Sequence, residues 1–216
     1  HILGGDTDQQ IHLLKEVLKH FSSEVFPHIL NSAGLLATHL RPELRQWGAR
    51  PGIALYGSAP VLKNLSKIQT DMMRSLYLTP VMHLKSEIMT INRVKKGDRA
   101  SYGGTWQAPR DSIIGVVPIG YADGYQRILS NQAEMLCRGK RVPVIGTVCM
   151  DYVLVDLTHL DGEGKLIGEE VVVFGQQGTQ VLKVDELAEL AKTISYELLV
   201  GIGQRVPRKY DECLGK

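Results

Sequence analysis

The stretch Arg50-Pro51-Gly52-Ile53-Ala54-Leu55-Tyr56-Gly57 decides the fold of the first part of this 216-residue chain. The apolar residues 53–55 predict a buried strand that follows a glycine, and Arg50 stands just ahead of it. Asn31-Ser32 end another short apolar run. A turn at a strand end offers backbone N–H groups to an anion, and an arginine adds a fixed fork of donors. Two such ends predict a phosphate or cofactor pocket at the C-terminal face of an α/β barrel.

The residues before this stretch predict α/β units. Thr7 and Gln10 resemble a capping box. Apolar residues then recur at helical spacing, at Ile11, Leu14, Leu18 and Phe21. Pro27 ends that segment, and the run 28–30 predicts a short strand. Short strands and helices with short connections favour a parallel sheet or barrel.

From about residue 78 the pattern predicts a second, β-rich domain. Short β-rich runs lie at 113–117, 142–148, 153–157, 171–174 and 180–184, with turn signals at 96–98, 138–140, 161–164 and 177–178. This spacing favours a small barrel or sandwich. One helix interrupts it, with Asp185 as the predicted N-cap and an apolar face made of Leu187, Leu190, Ala191 and Ile194.

Composition argues against several classes of protein. Hydrophobic residues make up 44% of the chain and charged residues 22%, and the net charge is +2. These values are ordinary for a globular protein and give no reason to expect nucleic acid or a membrane as partner. No apolar run reaches the roughly 20 residues of a membrane span. Cys137, Cys149 and Cys213 lack metal-binding spacing and fit reduced thiols in a cytosol, so we expect no metal site.

Several motifs for common chemistries are missing from the sequence. Gly201-Ile202-Gly203 lacks the third glycine of a dinucleotide fingerprint, and there is no P-loop, zinc-type histidine pair or nucleophile elbow. What remains are polar and aromatic residues at turns, in 101–104, 120–125 and 149–151, together with Tyr196. Taken singly, each of these fits packing or turn chemistry.

Taken together and in order, these motifs resemble those of the alanine racemase family. They are Asn31-Ser32-Ala33, Arg50-Pro51-Gly52-Ile53, Ser101-Tyr102-Gly103, Gly120-Tyr121-Ala122-Asp123-Gly124, Cys149-Met150-Asp151, Ile194-Ser195-Tyr196-Glu197 and Arg205-Val206-Pro207-Arg208. The resemblance covers essentially the whole chain. It implies pyridoxal 5′-phosphate (PLP) as cofactor and two domains. Residues 1–75 would be the C-terminal part of a PLP-binding (β/α)8 barrel, and residues 76–216 a small all-β barrel-like domain.

The resemblance also implies that a segment precedes this chain. No residue here matches the family's PLP lysine or the substrate-binding arginine of its earlier half. The chain starts with His1 rather than methionine, and residues 2–5 resemble the end of a strand. We therefore expect a piece of a longer or processed chain that needs the N-terminal barrel segment for activity.

Racemisation needs a base on each face of the Cα carbon, because the proton leaves one side and arrives on the other. The resemblance implies that Tyr102 is one of these bases, contributed across the interface of a homodimer with shared active sites, and that the lysine is the other. A tyrosine has an ordinary pKa near 10. The resemblance implies a hydrogen-bonded line from Tyr102 through His1 to Arg50, which would favour the phenolate.

By the same resemblance, Arg50 donates to the pyridine nitrogen of PLP. An arginine keeps its proton and has no acceptor, so it disfavours a protonated ring nitrogen. The ring then withdraws electrons less strongly, which favours return of the proton to Cα over transamination.

The resemblance assigns roles to further residues around the cofactor and the substrate. The phosphate would be held by Ser32, the backbone N–H groups of Gly52 and Ile53, and Tyr196, with Asn31 beside the cofactor. The backbone N–H of Met150 would meet the substrate carboxylate. Tyr121 and Arg127 would line the access channel, where a bulky tyrosine favours alanine over large amino acids. Thr147 stands where the family often has arginine, which changes the expected polarity of that channel.

The leading interpretation is an alanine racemase, an isomerase that supplies D-alanine for the peptidoglycan of a bacterium from its cytoplasm. A broader racemase for serine or lysine on the same fold is the nearest alternative, and Tyr121 argues mildly against it. A non-catalytic PLP-binding or interaction domain is another, and the retention of Tyr102 with His1 and Arg50 argues against that. A PLP decarboxylase on a similar barrel would carry cysteine-containing and acidic motifs that this sequence lacks.

Overall fold

The computed structural model describes residues 5–21, 24–60, 76, 78–160 and 164–211. His1, which the family resemblance assigns to the cofactor site, and Cys213 lie outside the described residues. The chain divides into two compact units, residues 1–81 and 82–216.

The described residues of the first unit form short helices and two parallel strands. Its elements are helix α1 Gly5–Leu18, strand β1 His28–Leu30, helix α2 Ser32–Ala37, a 3₁₀ helix Pro42–Gln46, strand β2 Gly48–Ala49 and a second 3₁₀ helix Ile53–Tyr56. β1 and β2 pair in parallel, with His28 opposite Gly48 and Leu30 opposite Ala49. Both strands therefore end at the same edge, and the residues that follow them share one neighbourhood.

Helix α1 packs on the small core of this unit through three of the four residues predicted for its apolar face. Ile11, Leu14 and Leu18 contact a cluster formed by Leu30, Ala37, Leu44 and Trp47. Phe21 lies beyond the end of α1 and is exposed, so its assignment to that face was wrong. The capping box was wrong as well, because α1 already begins at Gly5 and Thr7 lies inside its first turn.

The segment predicted as a buried strand at 53–55 is a turn of 3₁₀ helix. The N–H of Leu55 donates to the carbonyl of Gly52 at 3.0 Å, and only Ile53 is buried, whereas Leu55 is 62% exposed. Gly57 ends the helix with a φ of 78°. A run of three apolar residues cannot distinguish a strand from a helical turn by its period. In this segment the backbone hydrogen bonds are made within the helical turn and not to a neighbouring β-strand.

The second unit is mostly antiparallel sheet. Its strands are β3 Leu84–Glu87, β4 Thr90–Val94, β5 Arg99–Ala100, β6 Trp106–Gln107, β7 Ser112–Val117, β8 Glu134–Cys137, β9 Lys140–Ile145, β10 Val153–Asp156, β11 Glu170–Gln177 and β12 Gln180–Leu182. The sheet order is β12-β11-β8-β9-β10-β7-β4, and β3 pairs with β11. Only two residues, Ile88 and Met89, join β3 to β4, so this bent segment links β11 to β7 and curves the sheet into a barrel-like shape. This confirms the predicted β domain.

The core of the second unit fills the inside of the curved sheet. Val117, Met135, Val142, Val155 and Val173 come from five different strands and are almost fully buried. The runs predicted at 113–117, 142–148, 153–157, 171–174 and 180–184 all contribute strands, whereas β3, β4, β5, β6 and β8 were not predicted.

Two short helices, α3 Val184–Leu190 and α4 Ser195–Val200, follow the last strand. Asp185 is not the N-cap of α3, because the helix is preceded by Lys183, whose N–H donates to the carboxylate of Glu186 at 3.0 Å. Leu187 and Ala191 are buried as predicted, but Ile194 precedes α4 and is exposed. Within the described ranges, no helix has the length and apolar character needed to span a membrane.

Candidate active site

The two strand ends of the first unit meet through the hydroxyl of Ser32. Ser32 Oγ accepts hydrogen bonds from the backbone N–H of Gly52 at 2.8 Å and of Ala54 at 3.2 Å, and its side chain is buried. Asn31 caps α2, since its side-chain oxygen accepts the N–H of Gly34 at 2.9 Å. The structure thus brings Asn31 and Ser32 beside Gly52, although they lie about twenty positions apart in the chain.

The backbone around Gly52 leaves space for a ligand. Among the described residues, a Cβ atom added at Gly52 would meet no atom closer than Ser32 Oγ, at 4.0 Å. Ile53 anchors the turn with a buried side chain, and its N–H has no acceptor among the described residues. The N–H of Gly52 is donated to Ser32 Oγ, so the donors left for an anion are the N–H of Ile53 and the hydroxyl proton of Ser32. These donors beside open space match the needs of a phosphate group. These residues therefore fit the phosphate end of PLP.

Arg50 contacts a histidine that was not predicted as a site residue. The Nη1 of Arg50 donates to Nδ1 and to the backbone carbonyl of His28. The backbone N–H of Arg50 donates to the carbonyl of Leu30 at 2.6 Å. Because arginine has only donors, Nδ1 of His28 must accept, which places the proton of a neutral ring on Nε2. The expected line from Arg50 to His1 involves a residue outside the described part of the chain.

Tyr102 lies on a turn that its neighbours hold in place. The turn Tyr102–Gly104 connects β5 to β6, and the Tyr102 side chain is 76% exposed. Ser101 has a φ of 66° and Gly103 a φ of 75°. A serine rarely adopts such a φ, and this conformation persists only where surrounding contacts impose it. One such contact is the hydrogen bond that Ser101 Oγ donates to the carbonyl of Thr147, at 2.8 Å.

A directional chain of hydrogen bonds ends on the backbone of Tyr102. Thr147 Oγ1 donates to the Tyr102 carbonyl at 3.0 Å, so its single proton is used there. The 3.2 Å contact between Thr147 and Thr105 must then have Thr105 Oγ1 as donor. Asn131 Nδ2 donates to Thr105 at 3.2 Å, while its oxygen accepts the N–H of Gly146 at 2.5 Å. Thr147, considered from the sequence as a channel residue, is buried and supports the Tyr102 turn.

Met150 and Tyr121 lie on two loops that are joined by backbone hydrogen bonds. The N–H of Tyr121 donates to the carbonyl of Cys149, and that of Ala122 to the carbonyl of Met150, both at 3.0 Å. The N–H of Met150 itself has no acceptor in the part of the chain that the structure describes. An unused amide on a fixed loop can bind a carboxylate.

Tyr121 and Arg127 share an opening of about 370 Å³ with Glu197. The other residues that line it are Gly124, Gln126 and Gly201. Tyr196, beside Glu197 on α4, is 40% exposed. A larger opening of about 550 Å³ between β8, β9 and α3 contains none of the predicted site residues.

Comparison with known proteins identifies the family and the fold. A model of the alanine racemase C-terminal domain matches residues 81–210. An alanine racemase of Halothermothrix orenii is 40% identical over 191 residues, which cover 87% of this chain and 46% of that protein. The biosynthetic alanine racemase of Pseudomonas aeruginosa superposes with a TM-score of 0.73 and 34% identity, over 96% of this chain and 53% of the other. The alanine racemase of Bartonella henselae, solved with covalently bound pyridoxal phosphate, gives a TM-score of 0.76 and 26% identity, over 98% and 54%.

A short α/β unit followed by a barrel-like β unit is the architecture shared with these racemases. The chain belongs to the alanine racemase family. It spans about half the length of the curated relatives that it matches.

Proposed function

We propose that the protein carrying this chain is a PLP-dependent alanine racemase, which interconverts L- and D-alanine and supplies D-alanine for peptidoglycan in a bacterial cytoplasm. The observation that carries this proposal is the Tyr102 turn. Its phenol is exposed, whereas its backbone is held by Ser101 and by the hydrogen-bond chain through Thr147. A general base needs both properties, since it must reach the substrate and must not move away from it.

The strand ends of the first unit support PLP as the cofactor. Ser32 and the N–H groups of Gly52 and Ile53 would hold its phosphate, and the family resemblance adds Asn31 and Tyr196. When bound, PLP would supply the electron sink that makes the Cα–H bond of an amino acid acidic. The lysine that attaches it has no counterpart in this chain, so that group would come from a preceding segment.

Tyr102 would carry the proton on one face of Cα. As phenolate it accepts the proton from one enantiomer, and as phenol it returns a proton to form that enantiomer again. The N–H of Met150 would bind the carboxylate of the substrate and so fix the direction of the Cα–H bond. This explains how an apolar residue serves in a binding motif, because only its backbone is used.

Arg50 would set the electronic character of the ring. Its guanidinium donates to the pyridine nitrogen and keeps that nitrogen from holding a proton. His28, which accepts from the same guanidinium, would hold Arg50 in the required orientation.

Tyr121 would limit the size of the substrate. It lines the same opening as Arg127 and Glu197, so its ring narrows a passage that also carries both signs of charge. A zwitterion with a methyl side chain suits this passage better than lysine does.

A racemisation assay on the native protein tests the proposal. L-alanine, L-serine and L-lysine are each supplied with PLP, and formation of the D-enantiomer is measured by chiral chromatography. We expect alanine to be the preferred substrate by kcat/KM. Comparable values for serine and lysine would favour the broad racemase, and no D-product from any of them would contradict the proposed activity.

We further propose a homodimer with shared active sites, as the family resemblance implies. The test mixes two impaired variants, Tyr102→Phe and Arg50→Glu, under conditions that exchange subunits, and compares racemisation by the mixture with the sum of the two variants measured alone. Some activity should return if one site of the mixed dimer receives both intact residues. Mixtures that form heterodimers and regain no activity would contradict the shared site.

A further inference from the structure

Arg205, in the last motif of the sequence, binds two carboxylates at once. Its Nε donates to Oδ1 of Asp123 at 2.6 Å, and its Nη2 donates to Oδ1 of Asp151 at 2.7 Å. The hydrogen bonds that Arg205 donates to Asp123 and then to Asp151 raise the pKa of its guanidinium above the ordinary value, so Arg205 stays charged. Neither carboxylate has a role in the proposed reaction.

Each carboxylate belongs to one of the two loops that carry site residues. Asp123 closes the turn of Tyr121, because its Oδ2 accepts the N–H of Gly120 at 2.8 Å, and its side chain is nearly buried. Asp151 follows Met150 directly. Arg205 therefore ties the Tyr121 turn to the Met150 loop from the side of the C-terminal segment.

The segment that carries Arg205 is itself fixed. Arg208 donates to the carbonyls of Ile202 at 2.8 Å and of Gly203 and Val206 at 2.9 Å. The N–H of Gly203 donates to the carbonyl of Asp123 at 3.0 Å. This backbone bond keeps the base of Arg205 beside the Tyr121 turn without help from Arg208, whose contacts stabilise the segment as a whole.

Close backbone packing leaves little freedom where the loops meet. A Cβ atom at Gly120 would lie 2.3 Å from the carbonyl oxygens of both Cys149 and Met150. Because the turn of Tyr121 is a single turn of 3₁₀ helix, side-chain ties add to the two backbone hydrogen bonds that hold this approach.

We infer that Arg205 is a positioning residue that, through Asp123 and Asp151, sets the Met150 amide where it meets the substrate carboxylate. The inference deepens the proposed racemase function and rests on it. Arginine suits this task because its planar fork reaches two carboxylates in a fixed geometry, whereas lysine offers a single point charge.

The test compares Arg205→Met, Arg205→Lys and Arg208→Met in the native full-length protein. Arg208 is the matched control, because it fixes the same segment through backbone carbonyls alone. We measure KM and kcat for L-alanine and the inhibition constant of propionate, a carboxylate without an amino group. In parallel, hydrogen exchange reports on the amides of Tyr121 and Ala122, whose acceptors lie on the Met150 loop.

For Arg205→Met we expect KM and the propionate inhibition constant to rise about tenfold, as when one hydrogen bond to a charged group is weakened. The change in kcat should be smaller, and exchange at Tyr121 and Ala122 should be faster. Arg205→Lys should fall between Arg205→Met and the unmodified protein. Arg208→Met should lower thermal stability without changing KM or the inhibition constant. Should Arg205→Met fail to fold, Asp151→Ala removes one arm at an exposed carboxylate, and the same rises are expected.

Normal racemisation with unchanged KM, inhibition constant and exchange in Arg205→Met would overturn the inference alone. Equal rises in Arg208→Met would also overturn it, because they would show a general loss of structure in the segment. Absence of racemisation by the unmodified protein would overturn the proposed function, and the inferred role toward substrate with it.

Discussion

The strand ends of the first unit and the Tyr102 turn of the second are two candidate site regions built in different ways. At the strand ends, one buried hydroxyl accepts two backbone N–H groups, and the parallel pairing of β1 and β2 brings these groups to the same edge. At the Tyr102 turn, a chain of three side chains ends on one backbone carbonyl, and three residues of the turn have a positive φ. Binding an anion needs only donors and space, whereas proton transfer needs one side chain in one place.

This difference has a consequence for mutational sensitivity. Backbone donors survive most substitutions, so the strand ends depend on few side chains. The Tyr102 turn depends on Thr147 above all, because this residue is buried and loss of its hydrogen bond leaves a polar partner unsatisfied at a cost of about 1–3 kcal/mol. Thr105 and Asn131 are exposed, so water can replace the bonds that they make. The second region should therefore be the more fragile of the two.

Tyr102→Phe should have the largest effect. Loss of the hydroxyl removes one base and leaves the ring, so racemisation should fall about 10²- to 10⁴-fold. The equilibrium constant between enantiomers is one, so kcat/KM must fall equally in both directions. The loss of one base should instead be visible as unequal exchange of the Cα proton with deuterated solvent. The enantiomer whose proton faces the remaining base should still exchange it without inversion, and the other enantiomer should not.

Tyr210→Phe is the control for this experiment, because Tyr210 is largely exposed and lies outside both site regions. It should racemise as the unmodified protein does. A small loss in Tyr102→Phe, with equal exchange from both enantiomers, would show that Tyr102 is only a wall of the pocket.

Arg50→Glu tests the strand-end region through its one essential side chain. A carboxylate accepts a hydrogen bond, so the pyridine nitrogen could keep its proton. Racemisation should slow by about tenfold or more, given the loss of a charged hydrogen bond. Transamination, measured as pyruvate formed from alanine, should rise relative to racemisation.

The same charge reversal at Arg45, exposed on the 3₁₀ helix Pro42–Gln46, serves as the control. It should leave the ratio of pyruvate to D-alanine unchanged. A folded, PLP-loaded Arg50→Glu protein with the ratio of the unmodified protein would contradict the electronic role.

The two regions also differ in how much of them the sequence predicted. The meeting of Asn31-Ser32 with Gly52 was predictable, because polar residues that follow parallel strands share an edge. The contact of Arg50 with His28 was not, since it depends on which residues of β1 and β2 lie opposite one another.

The network around Thr147 was beyond sequence reasoning for a related reason. Asn131, Thr105 and Thr147 are far apart in the chain and fit turns or surfaces equally well when taken singly. The strands β3 and β4 were missed because charged and polar residues lie on their outer side, which hides the β pattern. Apolar runs such as 113–117 and 171–174 were predicted because burial on both faces gives them a strong local signal.

Thr147→Val tests the fragility of the Tyr102 turn directly. Valine has nearly the same shape but leaves the Tyr102 carbonyl without its donor. We expect the free energy of unfolding to fall by about 1–2 kcal/mol and kcat to fall several-fold, because Tyr102 loses its fixed position. Thr147→Ser keeps the hydroxyl and should retain most of the activity. If both variants behave alike in kcat, the hydrogen-bond chain does not position Tyr102.

Tyr125→Phe should have the smallest effect, and it should raise the free energy of unfolding rather than lower it. Tyr125 contrasts with Tyr102, because its side chain is buried and its hydroxyl has no hydrogen-bond partner among the described residues. Burial raises the pKa of that hydroxyl, so it cannot act as a base near neutral pH. Removing an unsatisfied buried hydroxyl relieves a desolvation penalty, and the free energy of unfolding should rise by up to about 1 kcal/mol. Urea denaturation measures this change, with the exposed Tyr210→Phe as the control that should show none. Destabilisation by Tyr125→Phe would mean that the hydroxyl is satisfied by a buried water, and racemisation should stay unchanged in either case.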